Sequence, residues 1–157
     1  MRFHHLLVAA FLAAPALAAS ELKVEVYEGP TECADEDRVT EGNYLKMHYT
    51  GKIDESSETG EKGAQFDTSH GRGQTFDFAV GKGRVIKGWD QGIIGLCKGA
   101  KANIVIPPEF GYGASGAGQS IPGGATLHFD VGAWTEDVSN TINLLSRRYF
   151  AKFICLD

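Results

Sequence analysis

The sequence has no excess of positive charge, and beyond its first 20 residues it has no long hydrophobic run. Its 157 residues include 15 lysines and arginines against 20 aspartates and glutamates, so the formal net charge is −5. A protein that binds nucleic-acid phosphates needs a basic surface, and we therefore expect no nucleic-acid partner. The apolar stretches beyond residue 20 are shorter than the ~18 residues that a membrane-spanning helix requires, so we expect no stable membrane insertion.

Motifs for metals and cofactors are also missing. His48, His70 and His128 are not spaced as metal ligands relative to one another or to the cysteines, and their positions predict side chains that face solvent. Gly111–Gly116 fits the pattern G-x-G-x-x-G, but the prolines on both sides are incompatible with the strand and helix that a dinucleotide site requires. We therefore expect no metal and no cofactor, and if the protein is an enzyme, no covalent nucleophile.

The first residues have the composition of a secretory signal peptide. Arg2 precedes a short apolar run, Leu6–Ala14, and small residues at Ala16 and Ala18 form a cleavage site. An uncleaved anchor is the alternative, although the run is short for a bilayer. We expect residues 1–19 to be a signal peptide and residues 20–136 to form one domain.

The twenty glycines and the alternating apolar residues of that domain favour strands and turns. Alternation occurs in five segments: Leu22–Val26, Leu45–Tyr49, Phe76–Val80, Ala102–Ile106 and Leu127–Val131. One stretch, Val85–Leu96, has helical spacing instead, but each of its three glycines costs about 1 kcal/mol in a helix interior. Such a helix must be held by packing, so we predict an α+β fold in which an antiparallel sheet wraps around one short helix.

Two segments read as loops. Gly51–Gly63 is polar and flanked by glycines, which indicates an exposed loop. Pro107–Gly124 is rich in glycine, proline and serine, and it is longer than an ordinary connection; loops of this length often carry function.

The chain changes character after the domain. From Ser139 onwards, apolar residues recur every three to four positions between basic ones, which predicts an amphipathic helix within residues 137–157. This helix could dock on the domain or be frayed, or it could contact a membrane surface or a partner.

Six aromatic residues are spread over the predicted strands, the helix and the long loop: Tyr49, Phe66, Phe76, Trp89, Tyr112 and Phe129. Aromatic residues in such positions usually belong to the core. A buried tyrosine hydroxyl, however, needs a partner, and Asp67 adds an acceptor. Aromatic walls with a few polar groups are the usual form of a small-ligand site.

Five motifs in order resemble the FKBP-type peptidyl-prolyl cis-trans isomerases: His48–Gly51, Phe66–Ser69, Val85–Trp89, Gly111–Gly113 and Ile121–Leu127. Each motif alone has little specificity, whereas five in register are specific. The similarity runs from about Val24 to Trp134, and the signal peptide together with Cys33 and Cys97 resembles the secretory, endoplasmic-reticulum branch.

The resemblance implies a five- to six-stranded antiparallel sheet curled around one helix, and isomerase activity on proline-containing polypeptides. It assigns catalytic roles to Tyr49, Asp67, Tyr112 and Phe129. It assigns substrate binding to Phe66, Phe76, Val85, Ile86, Trp89 and Ile121. It also implies binding of macrolide immunosuppressants, a monomer, and a location in the endoplasmic-reticulum lumen or outside the cell.

Two further expectations come from the resemblance. Three cysteines allow three pairings, and the secretory branch implies Cys33 with Cys97, which leaves Cys155 free or available to another chain. Ala117 and Ser120 are smaller than the family pattern leads us to expect at the pocket rim. We therefore expect tolerance for the residue before proline and weaker binding of bulky apolar ligands.

Three interpretations remain at the level of sequence. The pocket could catalyse isomerisation, it could bind proline-containing segments without turnover as a chaperone or scaffold, or the aromatic residues could form a solid core. Only the first predicts turnover, and only the last predicts no macrolide binding.

Overall fold

The computed structural model describes residues 21–136, with side chains described as far as residue 132. The strands are β1 Lys23–Glu28, β2 Tyr44–Ile53, β3 Gln65–Thr68, β4 Phe76–Ala79, β5 Lys101–Ile106 and β6 Leu127–Glu136. One α-helix, α1, spans Lys87–Gly92, and short 3-10 helices lie at Asp35–Asp37, Pro108–Phe110 and Gly113–Ser115. The predicted signal peptide and C-terminal helix lie outside the described residues.

The strands form one antiparallel sheet in the order β1-β5-β6-β2-β3. Strand β4 also pairs with β2, so that β3 and β4 share one edge of this long central strand. The predicted α+β fold, an antiparallel sheet around one short helix, is confirmed.

The core lies between α1 and one face of the sheet. Alternate residues of β2, β5 and β6 point to that face and are buried: Leu45, Met47, Tyr49, Ala102, Ile104, Ile106, Leu127, Phe129 and Val131. Since side chains alternate along a strand, the remaining residues form an outer face that is more polar. The helix contributes Trp89 to the core, and the ligand pocket opens where this ring meets the sheet.

Helix α1 is shorter than the apolar spacing predicted. Val85 and Ile86 precede it, with Ile86 in an extended conformation, and the first turn starts at Lys87. The helix ends at Gly92, and Gly95, three residues further on, has a φ of 92° that is incompatible with a continued right-handed helix.

The predicted loop Gly51–Gly63 is wrong at its start. Strand β2 continues to Ile53, and Gly51 is a strand residue on which two aromatic rings pack. A Cβ atom on Gly51 would lie 2.6 Å from Phe66 Cε2 and 2.7 Å from Phe129 Cε1. The loop is also less exposed than predicted, since the buried Ser57 hydroxyl donates to Thr59 O at 2.7 Å and accepts from Thr126 N at 3.0 Å.

Strand β1 is more exposed than the predicted half-buried strand. It pairs only with β5 and lies at the edge of the sheet, so Val24 keeps 39% of its surface exposed. Val26 packs against the core in part.

The structure contains the Cys33–Cys97 disulfide that the resemblance implied. Cys33 follows β1, and Cys97 follows α1 and forms a β-bridge with Arg38. The bond therefore fixes the segment after the edge strand to the segment after the helix. Within residues 21–136, no helix is long and apolar enough to span a membrane.

Candidate active site

A cavity of about 660 Å³ opens between α1, the core face of the sheet and the loop before β6. All ten residues for which the resemblance implied a role line it: Tyr49, Phe66, Asp67, Phe76, Val85, Ile86, Trp89, Tyr112, Ile121 and Phe129. Five other residues also contribute to its lining: Arg84, Ala117, Gly118, Gln119 and Ser120.

The floor of the cavity is the indole of Trp89, which α1 presents to the sheet. Its ring is 5.0 Å from that of Tyr49 and 5.1 Å from that of Phe129, both in edge-to-face geometry. Phe76 makes a third edge-to-face contact at 5.6 Å. Each such pair contributes roughly 0.5–1.5 kcal/mol beyond the buried area, so the floor is a rigid aromatic surface.

The walls come from separate parts of the chain. Phe129 of β6 packs edge-to-face against Phe66 of β3, with ring centroids 5.5 Å apart. Val85 and Ile86 reach the cavity from the extended segment before α1, and Ile121 closes it from the last loop. Apolar groups that only the fold brings together thus enclose most of the space.

One polar cluster lies in the cavity wall. The Tyr49 hydroxyl donates to the Asp67 carboxylate, and the Arg72 guanidinium pairs with the same carboxylate. Asp67 Oδ1 also accepts from the Thr68 N–H at 2.8 Å. Burial, followed by the hydrogen bond to Asp67, raises the pKa of Tyr49 to about 12, so its phenol is neutral at physiological pH.

The Ile86 N–H and the Tyr112 hydroxyl have no hydrogen-bond partner among the described residues, and the buried Trp89 Nε1–H also lacks one. Burial raises the pKa of Tyr112, and the nearby Asp67 carboxylate raises it further, so this hydroxyl is also a neutral donor. The Ile86 N–H and the Tyr112 hydroxyl can donate to the carbonyl oxygens of a bound peptide.

The rim is a small hairpin. Ala117 N–H donates to Ile121 O at 2.8 Å, and Ile121 N–H donates to Ala117 O at 3.2 Å. Ala117 and Ser120 both line the cavity, as the family resemblance implied, and the rim they form with Gly118 and Gln119 carries no charge. Sequence reasoning did not identify Arg84 and Gln119 as lining residues, although Arg84 directly precedes the Val85–Trp89 motif and could have been found there.

Three histidines, His48, His70 and His128, lie outside the cavity on the outer face of the sheet. His48 stacks on His70 at 5.0 Å, and His128 contacts Asn103 at 3.1 Å and Asp54 at 3.5 Å. His48 and His128 are half-buried, so the prediction that they face solvent holds only in part. Burial raises the pKa of Asp54, but hydrogen bonds from Ser56 and the proximity of His128 outweigh it and lower the pKa overall.

The described residues contain no group of three or more histidines, cysteines, aspartates or glutamates that could hold a metal ion. Within these residues the cavity offers apolar surface, unpaired hydrogen-bond donors and the Asp67 cluster.

Comparison with known proteins identifies the family. Residues 35–132 match the family of FKBP-type peptidyl-prolyl cis-trans isomerases. The chain is 47% identical over 111 residues to peptidyl-prolyl cis-trans isomerase FKBP2 of Homo sapiens, which covers 71% of this chain and 72% of that protein. It is 43% identical over 120 residues to FK506-binding protein 2 of Dictyostelium discoideum, covering 76% and 84%.

A solved structure agrees with these matches. The crystal structure of AtFKBP13 is similar with a TM-score of 0.57 and 34% identity, covering 74% of this chain and 91% of that one. The chain belongs to the FKBP-type peptidyl-prolyl cis-trans isomerases, an enzyme family, and its relatives place it in the FKBP2 branch.

Proposed function

We propose that the aromatic cavity is the active site, and that it isomerises prolyl bonds of proteins that fold in the secretory pathway. The observation that carries this proposal is that ten residues from separate segments of the chain line one cavity, together with the unpaired Ile86 N–H and Tyr112 hydroxyl. Family membership supports the reaction class.

The catalytic principle is differential stabilisation of a twisted amide. Rotation about a prolyl bond has a barrier near ~18–20 kcal/mol, because twisting removes amide resonance. The twisted state is less polar than the planar one, so a dry aromatic site favours it relative to water. Every ~1.4 kcal/mol by which the site lowers the barrier gives about tenfold in rate.

Each part of the site has a proposed role in this scheme. Trp89 supports the proline ring, and Phe76, Val85 and Phe129 enclose it. The Ile86 N–H and the Tyr112 hydroxyl donate to substrate carbonyls. Asp67 orients the Tyr49 hydroxyl and Arg72, and rotation about the prolyl bond requires no proton transfer from it.

The proposal extends to location and partners. A disulfide persists in an oxidising compartment, which agrees with the predicted signal peptide at residues 1–19 and with the endoplasmic-reticulum lumen or secretion. The proposed substrates are proline-containing polypeptides, and the proposed inhibitors are macrolides of the FK506 type. The proposed active unit is a monomer whose domain spans residues 20–136 and is followed by a tail at 137–157.

A protease-coupled assay with prolyl tetrapeptides, run with and without FK506, tests the function. Turnover that the macrolide inhibits is the expected result. Macrolide binding without turnover would instead define a binding module, and the absence of both would identify the cavity as a structural feature of the fold.

A further inference from the structure

Arg84 is a cation on the cavity wall whose charge is not neutralised. It lies in the lining directly before Val85 and Ile86, and it is exposed. Within residues 21–132, its guanidinium makes no hydrogen bond and no ion pair. An arginine head group in this state presents its donors to whatever enters the cavity.

The neighbouring charges are already engaged. Asp67 is the one carboxylate among the lining residues, and it is held by Arg72 and Tyr49. Lys82, two positions before Arg84, pairs with Glu41 at 2.8 Å. The described part of the rim therefore has one charge that is available to a substrate, and that charge is positive.

The backbone that carries Arg84 is fixed. Asp90 of α1 accepts from Gly81 N–H at 2.8 Å through one carboxylate oxygen and from Gly83 N–H at 2.7 Å through the other. Both oxygens of Asp90 are thus committed to the turn that leads into Arg84. The turn positions the arginine at the cavity, and the acid that holds the turn does not neutralise it.

We propose that Arg84 is a specificity-determining residue that selects prolyl substrates with a carboxylate side chain next to the proline. This inference rests on the proposed isomerase function of the cavity. A guanidinium matches a carboxylate with two parallel hydrogen bonds, and the uncharged hairpin Ala117–Ser120 offers no competing charge. With a net charge of −5 the protein repels acidic segments in general, so a local cation at the site counteracts that repulsion where binding occurs.

NMR exchange spectroscopy, which needs no coupled protease, measures the preference for Glu over Gln next to the proline. Two pairs of tetrapeptides are compared, with Glu or Gln either before or after the proline. Exposed ion pairs support a Glu preference of about two- to fivefold in the catalysed exchange rate at one of the two positions. Raising the salt from about 0.05 M to about 0.5 M should abolish most of this preference, because the screening length shortens.

Variants assign the preference to one side chain. Arg84→Gln should bring the Glu to Gln rate ratio close to one, and Arg84→Glu should reverse it. Lys87→Gln is the matched control, because Lys87 is an exposed cation three positions along that does not line the cavity. This control changes the net charge equally and should keep the preference.

Two results would overturn the inference: equal rates for Glu and Gln peptides at both positions, or the same fall in preference in Lys87→Gln as in Arg84→Gln. Failure of the proposed function is recognised separately, because the wild-type protein would then not accelerate exchange of the Gln peptides either.

Discussion

Phe129 is the residue on which most of the cavity depends. Its ring contacts those of Trp89 at 5.1 Å, Phe66 at 5.5 Å and Tyr49 at 6.1 Å, and it is itself buried. One side chain of β6 thus holds together rings from the helix and from two other strands. Asp67 does the same for the polar groups, since it binds both the Tyr49 hydroxyl and the Arg72 guanidinium.

We predict that Phe129→Ala and Asp67→Val each lower the isomerisation rate by at least about tenfold, equivalent to ~1.4 kcal/mol of transition-state stabilisation. The first removes a wall, and the second releases the Tyr49 hydroxyl and Arg72. The measurement is kcat/KM on a neutral prolyl peptide. Phe129→Leu accompanies the alanine variant, because a buried Phe→Ala change costs about 3–5 kcal/mol and can unfold the protein.

His48→Ala and His128→Ala are the controls, because both residues lie on the outer face and neither lines the cavity. They should keep the rate at matched folding, monitored by circular dichroism. Equal losses in all four variants would remove the cavity from the mechanism.

At this scale the motifs predicted much of the site. All ten residues line one cavity, although Phe76 and Phe129 lie outside the five motifs, because the fold brings these separate segments together. Arg84 and Gln119 were not predicted, since their contribution depends on how a turn and a hairpin are oriented, which no local pattern encodes. The roles of the ten residues stay predictions until the variants are measured.

Among the elements, helix α1 can lie close to the sheet because two of its residues, Gly88 and Gly92, have no side chain. A Cβ atom on Gly88 would lie 2.5 Å from Ile106 Cγ2 and 2.7 Å from Ile106 Cδ1. On Gly92 the nearest atoms would be Val24 Cγ2 at 3.2 Å and Ile104 Cγ2 at 3.3 Å. The first distance requires the fully buried Ile106 side chain or the helix to shift, whereas the second requires a shift of a few tenths of an ångström.

We predict that Gly88→Ala lowers the free energy of unfolding and that Gly92→Ala leaves it close to the wild-type value. Overpacking costs about 1–3 kcal/mol, while alanine gains about 1 kcal/mol over glycine in a helix. Both variants gain helix propensity from alanine. Only Gly88→Ala also incurs the full overpacking cost, because its Cβ atom would meet Ile106. Urea unfolding midpoints of the two variants measure the difference, and equal midpoints would contradict the close packing of Gly88 on Ile106.

The start of helix α1 and the position of Gly51 are two features of the elements that the sequence did not predict correctly. Apolar spacing predicted a helix from Val85 onwards, but the structure starts it at Lys87 because Ile86 is extended. Gly51 was assigned to a loop for a similar reason: a glycine in a strand is read as a break, although here it makes room for the rings of Phe66 and Phe129. The error at Gly51 comes from contacts between residues that are far apart in sequence.

For the whole molecule, period-two patterns predicted an antiparallel sheet but not its order. Strand β5 lies between β1 and β6, and β2 joins β6 to both β3 and β4. These neighbours are set by long-range pairing and by the crossing of α1 beneath the sheet. The disulfide acts at the same scale, because it links the region after edge strand β1 to the region after the helix that supports the cavity.

We predict that the double variant Cys33→Ala/Cys97→Ala lowers the free energy of unfolding by up to about 4 kcal/mol, the chain-entropy value for a closed loop of this length. The two cysteines are 64 positions apart, and neither lines the cavity, so the folded variant should keep its isomerisation rate. Urea unfolding and the peptide assay at low temperature measure the two effects.

A reducing agent should destabilise the wild type and leave the double variant unchanged. The bond would have no role in stability if both proteins unfolded at the same urea concentration, and it would have a role in catalysis if the rate fell while the variant remained folded. Non-reducing peptide mapping completes the test. The prediction requires a peptide that links Cys33 to Cys97, and no peptide that links either of them to Cys155, which lies outside the described residues.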